Sequence, residues 1–78
     1  MIRYRYLYIR EICFLEDYGY YRSFSILCWK EGDAGRRFIT KLSDVSTNQA
    51  CVSGLVRLLT QMQLRPVHLQ DAVLNVLP

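Results

Sequence analysis

The sequence predicts an α+β domain, a three-stranded antiparallel β-meander followed by a two-helix hairpin packed on one face of the sheet. Three observations carry this. Apolar residues alternate with a period near two over the first half; two Gly-bearing turns divide that half into three; and after Ser43 the apolar period changes to about 3.6. At 78 residues and 9.2 kDa the chain has room for one core, so residues 1–78 read as a single domain.

The first strand is expected over about 2–15, where Tyr, Ile and Phe give the β-branched and aromatic character of a strand. Glu16-Asp17-Tyr18-Gly19 reads as a turn, and a second strand follows over 20–30. Glu31-Gly32-Asp33-Ala34-Gly35 is a stronger turn, leading to a third strand over 36–42. Connections this short make the strands antiparallel and sequential.

Ser46 and Gln49 have capping-box spacing and open a first helix over 47–63. Its apolar stripe is Cys51, Leu55, Leu58, Leu59 and Met62, widened by Val52 and Val56. Gly54 inside it costs about 1 kcal/mol relative to Ala. Pro66 closes this helix and opens a second over 66–77, with Leu69, Ala72, Val73, Val76 and Leu77 as its stripe.

Composition bounds the function. The chain is 51% hydrophobic and 22% charged with a mean hydropathy of +0.03, as in a soluble globular protein rather than a disordered one. The net charge of +3 is concentrated in residues 1–42, with eight basic and five acidic side chains, and is too small for an electrostatic footprint on nucleic acid. The opening residues lack the apolar region of a signal peptide, and no apolar run approaches the roughly 18 residues of a membrane span. A cytoplasmic protein without membrane association is expected.

Catalytic and metal sites are not expected. Cys13, Cys28 and Cys51 are odd in number and lack C-x-x-C spacing, which fits neither a disulfide framework nor zinc, so they are expected as reduced, partly buried thiols. His68 is the only histidine, without a second positioned group for acid–base work, and a structural role is expected for it. No phosphate-binding loop or paired-carboxylate motif occurs. A non-enzymatic protein without a cofactor follows.

Residues 23–77 resemble a family of short bacterial proteins classed as a domain of unknown function. The resemblance rests on Ser23-Phe24-Ser25-Ile26, Asp44-Val45-Ser46-Thr47, the Leu55–Leu59 stretch, Gln63-Leu64, Pro66, His68-Leu69, Asp71, Val73 and Leu77. Arg65 stands where the family carries Ser or Thr, and Leu74-Asn75 where it carries acidic residues. The resemblance implies the same fold and no known activity.

Function is therefore sought on the sheet. Centring the first turn near Tyr18 pairs Ile12 with Phe24 and Tyr8 with Cys28; centring the second near Asp33 pairs Cys28 with Phe38 and Phe24 with Leu42. One face then carries Tyr4, Tyr6, Tyr8, Ile12, Phe14, Phe24, Ile26, Cys28, Phe38 and Leu42 and forms the bed for the helices, with tyrosine hydroxyls reaching water at the margin. The other stacks Leu7 on Trp29, and Ile9 on Leu27 and Ile39. Arg5 is expected across from Glu31, Glu11 near Lys41, and Arg37 over Trp29 as a cation–π contact.

Two short helices cover one side of such a sheet, so Leu7, Ile9, Leu27, Trp29 and Ile39, with Arg37 on the rim, are left as an apolar patch for a protein partner or a second copy in a homodimer. An alternative is weak RNA or single-stranded nucleic-acid binding by the basic N-terminal half, although Arg3 and Arg5 point away from the tyrosines they alternate with. A further alternative is a small inhibitor, encoded by a mobile element, of a host or phage enzyme.

Overall fold

The computed structural model describes residues 1–76 and shows the α+β architecture expected. Strands β1 (Arg3–Leu15), β2 (Gly19–Gly32) and β3 (Gly35–Ser46) form one antiparallel sheet in the order β1-β2-β3, with β2 in the centre. Helix α1 (Gln49–Met62), a 3-10 turn (Pro66–His68) and helix α2 (Leu69–Val76) follow. The expected end of the second helix at Leu77 lies outside the described residues.

Both hairpins close on glycine. Leu15 pairs with Gly19 around the loop Glu16-Asp17-Tyr18, and Gly32 with Gly35 around Asp33-Ala34. Gly19 and Gly35 hold φ of 89° and 115°, where a Cβ would be strained. The first turn is centred on Asp17 rather than Tyr18, so the expected pairing is corrected by two residues: Phe24 faces Arg10, and Cys28 faces Tyr6. A slip of two preserves the side-chain faces, because the strand period is two.

The core lies between the sheet and the helices. Tyr6, Phe24, Ile26 and Cys28 meet Val52, Leu55, Val56 and Leu59 of α1 and Leu69 and Val73 of α2, with Tyr4, Tyr8, Leu42, Val45, Leu64 and Ala72 packed around them. Several expectations are corrected here. Leu58 and Met62 are exposed, so the buried stripe of α1 is narrower. Ile12 (73% exposed) and Phe14 lie on the helix side of β1 but beyond the helices, whose cover ends where Gln49 Nε2 donates to the Tyr8 hydroxyl at 3.2 Å. The Tyr6 hydroxyl does not reach water; it donates to the Leu64 carbonyl at 2.7 Å. Burial pushes the ionisation of Tyr6 and of Cys28 upward.

The helix caps also differ from expectation. Asn48, not Ser46, caps α1, its side-chain oxygen accepting from the Cys51 N–H at 3.1 Å, while Ser46 closes β3 and accepts from the Asn48 N–H. Gln63 ends α1 in the left-handed conformation, φ 52°, and the Leu64 N–H reaches back to the Leu59 carbonyl. β3 runs four residues beyond its expected end.

Two irregularities in β3 decide what its side chains face. Cys28 pairs with Thr40 but Trp29 pairs with Phe38, leaving Ile39 as an extra residue; Ile26 pairs with Leu42 but Phe24 with Ser46, so Ser43-Asp44-Val45 spans a single residue of β2. Asp44 takes φ 53° there. The second turn is centred between Asp33 and Ala34 rather than on Asp33, which sets Phe38 across from Trp29 and off the helix bed, against its expected place; the first bulge then returns Thr40 and Leu42 to the helix side.

Candidate interaction surface

The outer face of the sheet, away from the helices, is built in transverse rows. Arg3, Glu31 and Arg36 form one end; then come Arg5, Trp29 and Phe38; then Leu7, Leu27 and Lys41; then Ile9 beside Ser25, and Glu11 beside Ser23. Leu7 (39% exposed), Ile9 (36%) and Phe38 (46%) stand open around the half-buried Leu27 and Trp29 of the central strand. Trp29 and Phe38 meet edge to face, centroids 5.4 Å apart.

Of the expected surface residues, the structure places Leu7, Ile9, Leu27 and Trp29 together. Ile39 is exposed at the bulge without a partner on β2. Arg37 is a correction: it pairs with Lys30 on the helix side and lines a groove with Ile2 and Lys30, so the expected cation over Trp29 is replaced by the Phe38 ring. The turn is the cause: its two-residue loop sets Gly35 across from Gly32, one residue off the expected register, which exchanges the faces of Arg37 and Phe38, and the bulge at Ile39 reverses that shift only for the residues beyond it. Arg5 lies across from Trp29, and Glu31 instead pairs with Arg36 at 3.2 Å. Phe38 is the residue missing from the expected patch, and the signal for it is the spacing Gly32-Asp33-Ala34-Gly35, which suits a two-residue turn and sets Phe38 across from Trp29.

Next to the apolar rows lies a polar seam. Ser25 and Lys41 both donate to the Glu11 carboxylate, which lies near Lys41 as expected. Ser23 and Tyr21 both donate to Asp44, and the Asp44 backbone N–H donates to the Ser25 hydroxyl at 3.1 Å. Lys41 and Ser25 hold the Glu11 carboxyl below its usual range; Ser23 and Tyr21 do the same for Asp44. The bond to Asp44 pushes the Tyr21 phenol up to about 12. Ser23 and Ser25 are fully buried, so this seam is a satisfied polar network and gives the apolar rows a fixed border.

Arg57 of α1 joins Arg3 and Arg5 around a groove of about 360 Å³ whose lining contains no carboxylate. The tyrosines alternating with these arginines, Tyr4, Tyr6 and Tyr8, pack toward the helices. Cys13, Cys28 and Cys51 are free thiols, opposite or near no other cysteine in the strand pairing, with Cys13 facing Tyr21 and Cys28 facing Tyr6. His68 is exposed, and its backbone N–H donates to the Arg65 carbonyl. Among the described residues no helix is long and apolar enough to cross a membrane.

No protein-family model matches the chain, and neither does any curated protein or solved structure. The outer face therefore has to be interpreted from its own chemistry.

Proposed function

We propose that this protein is a small non-enzymatic interaction module of the cytoplasm, self-associating or binding a partner protein through the outer face of its sheet. The observation that supports this most is the block formed by Leu7, Ile9, Leu27, Trp29 and Phe38, apolar and aromatic, bordered by Arg5 and the Glu31–Arg36 pair at one end and by the Glu11–Lys41 pair at the other. An apolar centre with aromatic anchors and a charged rim is the composition of a protein interface. Leu27 and Trp29 sit at its middle, on the strand flanked on both sides.

The test is the double variant Leu27→Glu, Trp29→Glu, followed by thermal melting and light scattering. A charge desolvated at the centre of an interface lacks a partner there, so the variant folds but loses association. An unfolded variant would assign this face to the core and remove the reading. Trp29 is the only tryptophan, so its emission in the wild-type protein reports directly whether the face becomes covered as concentration rises.

A second reading, weak binding of single-stranded nucleic acid, has one observation in its favour: the groove that brings Arg57 to Arg3 and Arg5. Binding of this kind weakens steeply with salt, whereas burial of the apolar face does not. A salt titration with an oligonucleotide separates the two, with Arg57→Gln as the control.

A further inference from the structure

The groove of about 360 Å³ lies where helix α1 crosses the edge of β1. One wall is Arg3, Arg5 and Leu7, alternate residues of β1 that share a face and stand about 7 Å apart. The other is Ser53, Arg57 and Gln61, spaced by four on α1 and so forming one ridge of the helix. Between the walls the polar groups are already satisfied. The Thr60 hydroxyl accepts from the Tyr6 N–H at 3.1 Å and donates to the Val56 carbonyl at 2.8 Å. The Gln63 side-chain amide accepts from the Tyr4 N–H and donates to the Tyr4 carbonyl, both at 2.9 Å. A strand therefore has no place to add beside Tyr4 and Tyr6. What the groove offers a ligand is its side-chain donors: three guanidinium groups, the Ser53 hydroxyl and the Gln61 amide.

The three cations have no counter-ion in the chain. Glu31 lies across from Arg3, but its carboxylate is taken by Arg36 at 3.2 Å. Glu11 pairs with Lys41, and Asp33 with the N-terminal amine. Asp44 is held by Ser23 and Tyr21. Glu16 and Asp17 sit in the turn at the opposite end of β1, and Asp71 lies in the first turn of α2. Every acidic side chain is thus engaged or placed elsewhere, and the charge gathered at the groove is left for an anion from outside.

We propose that this groove is a binding site for the terminal phosphate of a small molecule, held by Arg3, Arg5 and Arg57, with the organic part of the ligand against Leu7 and Val56. The number of cations selects the anion. A carboxylate has one charge and two oxygens, which one guanidinium fork satisfies. A phosphodiester has one charge per phosphate, spread along a strand. A terminal phosphate has nearly two charges and three acceptor oxygens at a single point, the match for three forks around one groove. The volume is at the small end of ligand sites, which suits a small phosphorylated molecule.

The site shares its groove with the nucleic-acid reading above but takes a different ligand, and one experiment separates the two. The full chain is titrated with phenyl phosphate, with benzoate, and with a single-stranded oligonucleotide lacking terminal phosphates, while NMR follows the arginine side-chain N–H and α1 amide signals. Phenyl phosphate is expected to give saturable shifts at Arg3, Arg5, Arg57 and Ser53 and to bind more tightly than benzoate. Arg5 and Arg57 are exposed, so Arg5→Gln and Arg57→Gln stay folded, and each is expected to weaken binding about tenfold, the value of one charge-assisted hydrogen bond. Affinity is also expected to fall as pH drops through about 6, where the phosphate loses its second charge. No group lining the groove titrates there, since arginine stays charged and burial pushes the Tyr6 phenol upward. Absence of saturable shifts with phenyl phosphate overturns the proposal, as does benzoate binding equally well or phenyl phosphate binding unchanged in both variants. An oligonucleotide that binds through Arg57 where phenyl phosphate does not also overturns it and leaves the nucleic-acid reading standing. Binding of phenyl phosphate without the oligonucleotide supports it and removes that reading.

Discussion

Asp44 and Glu11 hold the polar seam of the outer face through hydrogen bonds that favour their charged forms. Both carboxyls titrate lower in the folded chain than their ordinary values of 3.8 and 4.5. A lowered folded value contributes stability that is present above the ordinary range and is lost as pH falls through the folded value. The melting temperature is therefore expected to fall as pH drops below about 4, and less steeply in Asp44→Asn with Glu11→Gln. Asparagine accepts the φ of 53° at position 44, so this variant changes charge without straining the bulge. Thermal melts at neutral pH and near pH 3 check it; an equal acid loss in the double variant would place the sensitivity elsewhere.

At the scale of elements, the contact between α1 and the edge of β1 is what the tertiary structure adds to a plain helix-on-sheet packing. Thr60 and Gln63 lie on the polar side of the α1 stripe, yet they supply the hydrogen bonds that Tyr4 and Tyr6 lack on that side. Thr60→Val keeps the shape and removes the acceptor for the Tyr6 N–H. Leaving a buried donor unpaired costs about 1–3 kcal/mol, and chemical denaturation of this variant is expected to show a loss in that range. Gln63→Ala opens the Tyr4 end and is expected to increase the exchange of the Tyr4 amide more than that of its neighbours. Unchanged exchange at Tyr4 would mean that the helix does not close this edge in solution.

Over the whole molecule, stability is unevenly distributed. The longest dimension is 46 Å against 23 and 20 Å, because the β1–β2 hairpin runs out past the helices. Ile26, fully buried on the central strand beneath the helices, is expected to cost about 2–5 kcal/mol when changed to Ala. Phe14, on the projecting part and touching Tyr20 with centroids 4.9 Å apart, is expected to cost about 1 kcal/mol, the value of the ring pair alone. Denaturation of the two variants side by side tests this gradient. Comparable losses would show that the hairpin is packed against something in the native state.

The sequence by itself determined the elements, their order and the faces of β1 and β2, because these depend on periods of two and about 3.6 that are local properties of the chain. It also identified Leu7, Ile9, Leu27 and Trp29 as outward residues, since even a two-residue error in register returns each side chain to the same face. Only the tertiary structure decided the face of Phe38 and Arg37, because closing the second hairpin on two residues rather than three shifts their register by one, and the bulge at Ile39 that lets the rest of β3 keep its faces has no mark in a local period. The closing of the β1 edge was equally beyond the sequence. Tyr4 and Gln63 lie 59 residues apart, and their bonds exist only because α1 folds back across the strand that β1 places at the margin. Bonds between distant residues have no signature in the local pattern. The groove that brings Arg57 to Arg3 and Arg5 was likewise settled only once the chain had folded.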